Sequence, residues 1–325
     1  MGVRSPSPAY TRGVSAASIA GLRDVQRRLL AWHRTQGMHA PWRESGDPYE
    51  VLVAAVMAQQ TQMSRVMPAY ERFIAAFPTV ESLAAATAGE VIRVWAGMGY
   101  NQRAIRLHRA ARTIVEGGWP REAAALGTID GIGPFTAAII ASFAFGEPAA
   151  CVDTNVRRVL GRLAGDERID GKRLQALADA SLAVREPARW NQAVMDYGAR
   201  VCTVRPKCGE CVVAGGCPSR READGATRAD AAPLLRVADE RVAYDAKPPR
   251  KVRPKFEGSA RWWRGRIIDA LRALPAGGSM GLAALGRSIA NGHEGLPAAE
   301  LRTLVEGLAA HGLVEIRRGR VALPE

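Results

Sequence analysis

The sequence is poor in several residue types that would point to particular classes of protein. It has only five histidines in 325 residues, and these are scattered, so a histidine-based metal centre is disfavoured. It contains no run of eighteen apolar residues, which excludes a membrane-spanning helix. Residues 1–19 lack the apolar segment of a signal peptide and are predicted to form a flexible tail. We therefore expect a cytoplasmic protein.

Acidic residues are also in deficit. The chain has 32 Asp and Glu against 45 Lys and Arg, a net charge of +13. This excess favours an anionic partner, most simply nucleic acid. A genome that uses arginine freely would give the same excess, so the charge alone leaves the partner open. Apolar residues make up 47% of the chain, enough for a substantial core, and the length suits two domains or three.

The most informative segment covers residues 126–163. Gly131 and Gly133 bracket one apolar residue, which predicts a tight turn with outward-facing backbone N–H groups. An apolar helix is predicted from Thr136 to Phe145, and its N-terminus suits a phosphate oxygen. Asp153 then precedes a second helical run. A helix N-cap is the commonest role for such an aspartate, so the pattern alone leaves its function open.

Three other motifs are candidates for contacts with nucleic acid. Residues 59–62, Gln-Gln-Thr-Gln, interrupt an apolar segment, and the plainer interpretation is a polar helix end. Tyr100 ends a Gly-Met-Gly-Tyr loop and could stack on bases, which is worth about 1–3 kcal/mol per base, or be a core tyrosine. Arg43 follows Trp42 in a Pro-Trp-Arg motif and could contact phosphate, whereas Trp42 itself could simply pack in the core.

Cysteine is scarce but clustered, since four of the five cysteines fall within sixteen residues. A cytosolic chain has little use for disulfides, so this cluster predicts metal ligation by thiolates. Four thiolates suit zinc as well as an iron–sulfur cluster. The predicted ligands are Cys202, Cys208, Cys211 and Cys217.

Residues 20–221 resemble the helix-hairpin-helix DNA glycosylases, the group that includes endonuclease III and adenine DNA glycosylase. The resemblance rests on the glycine hairpin, Asp153, the Gln-Gln-Thr-Gln motif and the cysteine loop. It implies a mainly α fold with a [4Fe–4S] cluster in loop 202–217, although the first cysteine gap is five residues here and usually six in the family. Zinc remains the chemical alternative.

The same resemblance implies roles for individual residues. Asp153 corresponds to the family's catalytic aspartate, and Asn155 to an asparagine that holds this aspartate and a water molecule. A helix-start amide is an equal alternative for Asn155. The other implied contacts are with DNA, either in the gap that a flipped base leaves or at the phosphate backbone. They are assigned to Gln59, Gln60, Gln62, Tyr100, Gly131, Gly133, Thr136 and Arg43.

Two positions depart from the family pattern. Adenine glycosylases carry a proton-donating Glu four residues before the first Gln of the motif, where this chain has Ala55. Adenine needs ring protonation to leave, whereas uracil and related pyrimidines can leave as anions. Endonuclease III carries a Schiff-base Lys where this chain has Phe135, which cannot form an imine. We therefore expect a monofunctional enzyme, without lyase activity, that favours a base other than adenine.

The C-terminal third changes character. Residues 222–258 are polar, then basic and proline-rich, and are predicted to be a linker. Residues 259–325 predict three helices, the second from Met280 to Ile289, followed by a hairpin over 314–323 with a basic tip. This order resembles a winged helix, which could bind DNA, bind a protein or shield the core. The larger β-rich domain with which adenine glycosylases often read 8-oxoguanine is not recognisable.

Together these features predict a monofunctional DNA glycosylase of base excision repair. It would act as a monomer on double-stranded DNA with a mismatched or damaged base, and associate with the nucleoid through that DNA. Similarity favours adenine as the excised base, and the site chemistry favours uracil, thymine or another base. The alternative is a non-catalytic DNA-damage-binding or winged-helix regulatory protein, which Ala55 and Phe135 support.

Overall fold

The structure is a computed structural model that describes residues 16–169, 171–223, 256–290 and 292–325. Most of the predicted tail and of the predicted linker lies outside these residues. The described chain is mainly helical, as the sequence predicts. None of its helices is both long and apolar enough to cross a membrane.

The secondary structure comprises the following elements in chain order. The helices are α1 (Ala16–Gln36), α2 (Pro41–Glu44), α3 (Pro48–Ala58), α4 (Met63–Ala76), α5 (Val80–Ala85), α6 (Ala88–Val94), α7 (Gln102–Gly117), α8 (Ala123–Leu126), α9 (Pro134–Phe145), α10 (Thr154–Leu163), α11 (Gly171–Ser181), α12 (Pro187–Arg200), α13 (Pro218–Ala223), α14 (Ala260–Arg272), α15 (Leu282–Ala290) and α16 (Ala298–Ala310). The strands are β1 (Ser279–Gly281), β2 (Glu315–Arg317) and β3 (Arg320–Ala322).

The described residues form two compact units. Unit one contains residues 16–51, 120–127, 134–169 and 171–223. Its core lies between α1, α10, α11 and α12. Helix α10 contributes apolar residues at helical spacing, including Val156, Val159 and Leu160, all buried. The cysteine loop packs against this same core, which fixes the position of the loop relative to α10.

Unit two contains residues 52–119, 128–133, 256–290 and 292–325. Reciprocal capping boxes at Thr79 and Thr87 begin α5 and α6. Phe73 packs edge-on against Trp95, with ring centroids 5.8 Å apart, between α4 and the end of α6. The glycine hairpin belongs to this unit and lies against α7.

The described C-terminal residues, 256–290 and 292–325, belong to unit two. Their three helices and their hairpin are confirmed, and a third strand completes an antiparallel sheet in the order β1-β3-β2. Met280 was expected in the second helix, but it pairs with Val321 in this sheet, so α15 begins only at Leu282. Ile92 and Ile105, from α6 and α7, share the apolar core of these elements. The winged-helix assignment stays a prediction.

Candidate active site

Asp153 is the N-cap of α10. Its Oδ1 accepts hydrogen bonds from the backbone N–H groups of Asn155 (2.8 Å) and Val156 (2.7 Å), and its Oδ2 accepts one from Asn155 Nδ2 (3.0 Å). Burial raises the pKa of this half-buried carboxyl, although the hydrogen bonds from Val156 and Asn155 act to lower it. Capping alone does not require a carboxyl whose charged form is penalised in this way, because an asparagine caps a helix equally well.

Asn191 of α12 holds the segment that leads to Asp153 through hydrogen bonds of its side chain. Its side chain accepts a hydrogen bond from the N–H of Cys151 (3.0 Å) and donates to the carbonyl of Ala149 (2.9 Å) and to Ser142 Oγ (2.9 Å). Asn191 is buried and satisfies three polar groups of two other segments. No local sequence pattern predicts this role of Asn191. Cys151 is a buried free thiol.

The side chain of Asn155 is in turn held by a hydrogen bond from Arg158. Arg158, one turn later on α10, donates to Asn155 Oδ1 (2.7 Å), to the carbonyl of Gly198 (2.5 Å) and to the carbonyl of Cys202 (2.6 Å). A Cβ on Gly198 would lie 2.7 Å from Asn155 Cβ, so glycine is needed where α12 passes α10. A continuous set of hydrogen bonds therefore connects the Asp153 carboxylate to the first residue of the cysteine loop.

The four loop cysteines line one cavity of about 200 Å³ in unit one. Within the described residues, no group of three or more Cys, His, Asp and Glu side chains is already placed to hold a metal ion. Four thiols around one cavity suit either zinc or an iron–sulfur cluster. The loop is anchored by Tyr197 Oη, which accepts a hydrogen bond from the N–H of Val212 (2.9 Å), and Arg162 donates to Cys202 Sγ (3.4 Å).

Unit two holds the Gln-Gln-Thr-Gln motif and Tyr100. The motif forms the turn between α3 and α4, with Gln60 and Gln62 exposed and Gln59 partly buried. Gln60 (φ +54°) and Tyr100 (φ +45°) both adopt the left-handed conformation, which is uncommon for residues other than glycine. Tyr100 is 47% exposed, so it is not a core tyrosine.

Arg103 of α7 joins these two loops. Its guanidinium donates to the carbonyls of Gln59 (2.7 Å) and Met98 (3.1 Å), and also to those of Val56 and Met57 (both 2.9 Å) at the end of α3. The side chain is only 7% exposed, and burial lowers its pKa to about 10. The orphan carbonyls at the end of α3 and in both loops are thus satisfied by the fork of donors that arginine carries.

The glycine hairpin uses its two glycines differently. Gly131 has φ +92°, and a Cβ there would lie 2.7 Å from the carbonyl oxygen of Arg106, so the fold itself needs glycine. Gly133 is exposed, and a Cβ there would meet nothing within 4 Å. Thr136 was expected to contact DNA, but it is 2% exposed, so its side chain is buried. That part of the prediction is wrong.

Arg43 was expected to contact phosphate. Its guanidinium instead forms a bidentate ion pair with Asp196 of α12, at 2.8 and 2.9 Å. Burial would raise the pKa of Asp196, but hydrogen bonds from His33 and Arg43 hold it well below its ordinary value. The structure thus gives Arg43 a buried structural role, and Trp42 is buried beside it in the chain.

The two departures from the family pattern are at ordinary packed positions. Ala55 is buried in the part of α3 that belongs to unit two. Phe135 is partly buried in the first turn of α9, in unit one. The acid nearest to Ala55 in α3 is Glu50, whose Oε2 is buried without a hydrogen-bond partner among the described residues.

Comparison with known proteins gives concordant results. A family model described as HhH-GPD superfamily base excision DNA repair protein matches residues 53–181. Adenine DNA glycosylase of Mycobacterium tuberculosis is 34% identical over 271 residues, which cover 79% of this chain and 81% of that protein. Adenine DNA glycosylase of Homo sapiens is 37% identical over 214 residues, covering 60% of this chain and 39% of that protein.

Solved structures add two similar folds. A thermostable thymine-DNA glycosylase superposes with a TM-score of 0.60 and 28% identity, covering 63% of this chain and 99% of its own. Endonuclease III in a non-covalent DNA complex superposes with a TM-score of 0.54 and 20% identity, covering 65% and 100%. The second likeness concerns the fold alone.

Proposed function

The chain belongs to the HhH-GPD superfamily of base excision DNA repair proteins and is a DNA glycosylase, and on this basis we propose that Asp153 is its catalytic carboxylate. The proposal rests on the burial, the pKa and the hydrogen bonds of the Asp153 side chain. It is half-buried, its pKa is raised by burial, and three hydrogen bonds hold it in one orientation. Such a group is costly for folding and suited to a site where positive charge develops.

The reaction is hydrolysis of the N-glycosidic bond of a flipped nucleotide. The bond between the sugar and the base breaks, and both electrons leave with the base. Ionised Asp153 stabilises the positive charge that builds on the sugar. A water molecule adds its oxygen to the anomeric carbon and gives up a proton, which the carboxylate accepts. Asn155 keeps Asp153 oriented for both steps.

The loops of unit two act on the duplex. Gln59, Gln60 and Gln62 offer amides that can hydrogen-bond the base left without a partner, and exposed Tyr100 stacks in the opened step. The backbone at Gly133 has open space in front of it, which suits close approach of a phosphate. The substrate is double-stranded DNA with a mismatched or damaged base, bound by a monomer.

The excised base is a pyrimidine that can leave as an anion, uracil or thymine. Ala55 supplies no proton, and adenine is a poor leaving group without one. The structural likeness to a thymine-DNA glycosylase supports this choice. Adenine is the second candidate, since the curated relatives carry that name. Phe135 cannot form an imine, so the strand stays intact until alkali is added.

A panel of duplexes tests the base specificity. Purified protein is incubated with U or T opposite G, A opposite 8-oxoguanine, A opposite G, hypoxanthine and an alkylated purine. We expect release of U or T but not of A, with strand breaks only after alkali. Release of A would contradict the leaving-group argument, and Glu50→Gln would then show whether the buried carboxyl of α3 supplies the proton.

We propose further that the cavity lined by Cys202, Cys208, Cys211 and Cys217 holds a [4Fe–4S] cluster. When bound, the cluster contributes a fixed centre on which the loop folds, and base hydrolysis does not pass through it. Purified protein should be straw-brown and contain about four irons per chain. Cys211→Ser should lose colour and iron, whereas Cys151→Ser should keep both. One zinc per colourless chain would overturn this proposal.

A further inference from the structure

The C-terminal elements reach the loop that carries Tyr100. Arg261, in the first turn of α14, donates a hydrogen bond to Tyr100 Oη (3.1 Å), and its guanidinium lies over the Tyr100 ring at 5.4 Å. Arg103 covers the same ring at 5.5 Å. Phe256 stacks against Arg261 at 4.6 Å. We call Tyr100, Phe256 and Arg261 the Tyr100 patch.

The connection between α14 and this loop is firm. Arg272, at the end of α14, donates to Asn101 Oδ1 (2.8 Å), the residue after Tyr100. Arg93 of α6 donates to the carbonyls of Leu274 (2.7 Å) and Pro275 (3.0 Å), just beyond α14. These contacts join the loop and α14 by side chains at both ends of the helix. A duplex that contacts Tyr100 therefore also comes within reach of Arg261 at the start of α14.

The chemistry of the Tyr100 patch is that of a nucleic-acid surface. Tyr100 and Phe256 are 47% and 55% exposed, and Arg261 is exposed between them. Arg261 makes no other hydrogen bond within the described residues, so most of its five N–H groups are free for phosphate oxygens. Exposed aromatic rings alternating with a guanidinium combine base stacking with phosphate binding.

We propose that the C-terminal elements form part of the DNA-binding surface, with Arg261 contacting a backbone phosphate beside the base step that Tyr100 enters. This inference rests on the proposed function, because it assumes that Tyr100 meets the substrate duplex. It gives the C-terminal residues a role in substrate binding that is distinct from shielding the core.

Binding to a duplex that contains a stable abasic-site analogue opposite G tests the inference without any need for catalysis. Fluorescence anisotropy at several salt concentrations gives the affinity and its salt dependence. Arg261→Ala should weaken binding about tenfold and reduce the slope of log K against log salt by about 0.9, the value for one lost phosphate contact. Arg261→Lys should keep the slope.

Two variants separate this contact from other effects. Arg264→Ala removes an equal charge from the exposed side of the same helix and should leave the slope unchanged. Tyr100→Phe removes the hydrogen bond to Arg261 but keeps the ring. If Arg261 acted only by holding Tyr100, Tyr100→Phe would reproduce the loss seen with Arg261→Ala. We expect Tyr100→Phe to keep the salt slope.

The outcomes also separate this inference from the proposed function. If the wild-type protein binds the abasic duplex and Arg261→Ala binds it with the same affinity and slope, the inference is wrong, and the Tyr100 patch is then a candidate surface for a protein partner. If the wild-type protein neither prefers the abasic duplex to an undamaged one nor releases any base, the proposed function itself fails.

Discussion

At the scale of single residues, Asp153 shows how one side chain can serve the fold and the reaction. Its position before α10 makes it an N-cap, and the same hydrogen bonds fix the carboxylate for catalysis. Capping and catalysis differ in whether the Asp153 carboxyl has to be ionised. A cap needs only an acceptor, whereas the proposed reaction needs an ionised carboxylate, so the pH dependence of the reaction distinguishes them.

We expect base release to fall as the pH drops through the pKa of Asp153, because the protonated form cannot stabilise a cationic sugar. Burial raises that pKa, so the acidic limb should lie above the usual range of an aspartate. Asn155→Ala removes a hydrogen bond that lowers the pKa, and the limb should move to higher pH. Single-turnover base release measured against pH checks this. A limb that stays in place or moves to lower pH would argue against the assignment.

Residue roles were predictable from sequence where they depend on near neighbours. The spacing of Asp153 from the helix that follows predicts its cap, and this is confirmed. The roles of Arg43 and Thr136 were predicted wrongly. Arg43 pairs with Asp196, 153 positions away, and Thr136 is buried in the first turn of α9. Neither fact is visible in the local pattern.

At the scale of elements, the glycine hairpin separates folding from binding. Gly131→Ala should destabilise the protein by about 1–3 kcal/mol, because its φ is positive and the new Cβ would press on the carbonyl of Arg106. Gly133→Ala should leave the melting temperature nearly unchanged and weaken binding to the abasic duplex. Thermal unfolding and anisotropy on both variants give the comparison. Equal losses of stability would contradict the different roles assigned to the two glycines.

Arg103 positions the two loops that carry Gln60 and Tyr100. Arg103→Lys keeps the charge but cannot reach the same set of carbonyls, and each buried acceptor left unpaired costs about 1–3 kcal/mol. We expect about tenfold weaker binding to the abasic duplex together with a lower melting temperature. Arg112→Lys, an exposed change on the same helix, is the matched control. Unchanged binding by Arg103→Lys would rule out the positioning role.

The elements themselves were largely predictable, since apolar periodicity and glycine or proline breaks indicate most of the helices. The third strand was not. β1 has three residues and forms only because β3, some forty positions later, offers it a pairing edge. Met280 therefore looked like the start of a helix.

At the scale of the whole molecule, the C-terminal residues complete unit two. The N–H of Gly89 donates to the carbonyl of Pro324 (2.7 Å), and Ile92 and Ile105 are buried in a core shared with α14–α16. Ending the chain at residue 223 would expose this apolar surface. We expect the shortened protein to unfold at a lower temperature and to aggregate. A shortened protein as stable as the full chain would show that the two parts are independent.

The sequence does not predict that α6 and α7 share an apolar core with the C-terminal helices. Ile92 and Ile105 fit the apolar faces of their own helices, and nothing in their spacing tells which later segment covers them. The sequence did predict the family, the cysteine loop and the hairpin, because each is a local motif. The composition of each compact unit depends on contacts between distant parts of the chain.

The most direct test of the account is Asp153→Asn, assayed on a duplex with U opposite G. Asparagine still caps α10 and carries no charge that burial penalises. Burial raises the pKa of Asp153, so the folded protein favours the protonated carboxyl. The stability that this protonated form contributes is lost as the pH rises through the pKa. At neutral pH the variant should therefore unfold at the same temperature as the wild-type protein or at a higher one. We predict base release at least 10²–10³-fold slower, roughly the loss expected for one electrostatic stabiliser, with duplex binding retained. Base release at the wild-type rate would contradict the catalytic role of Asp153.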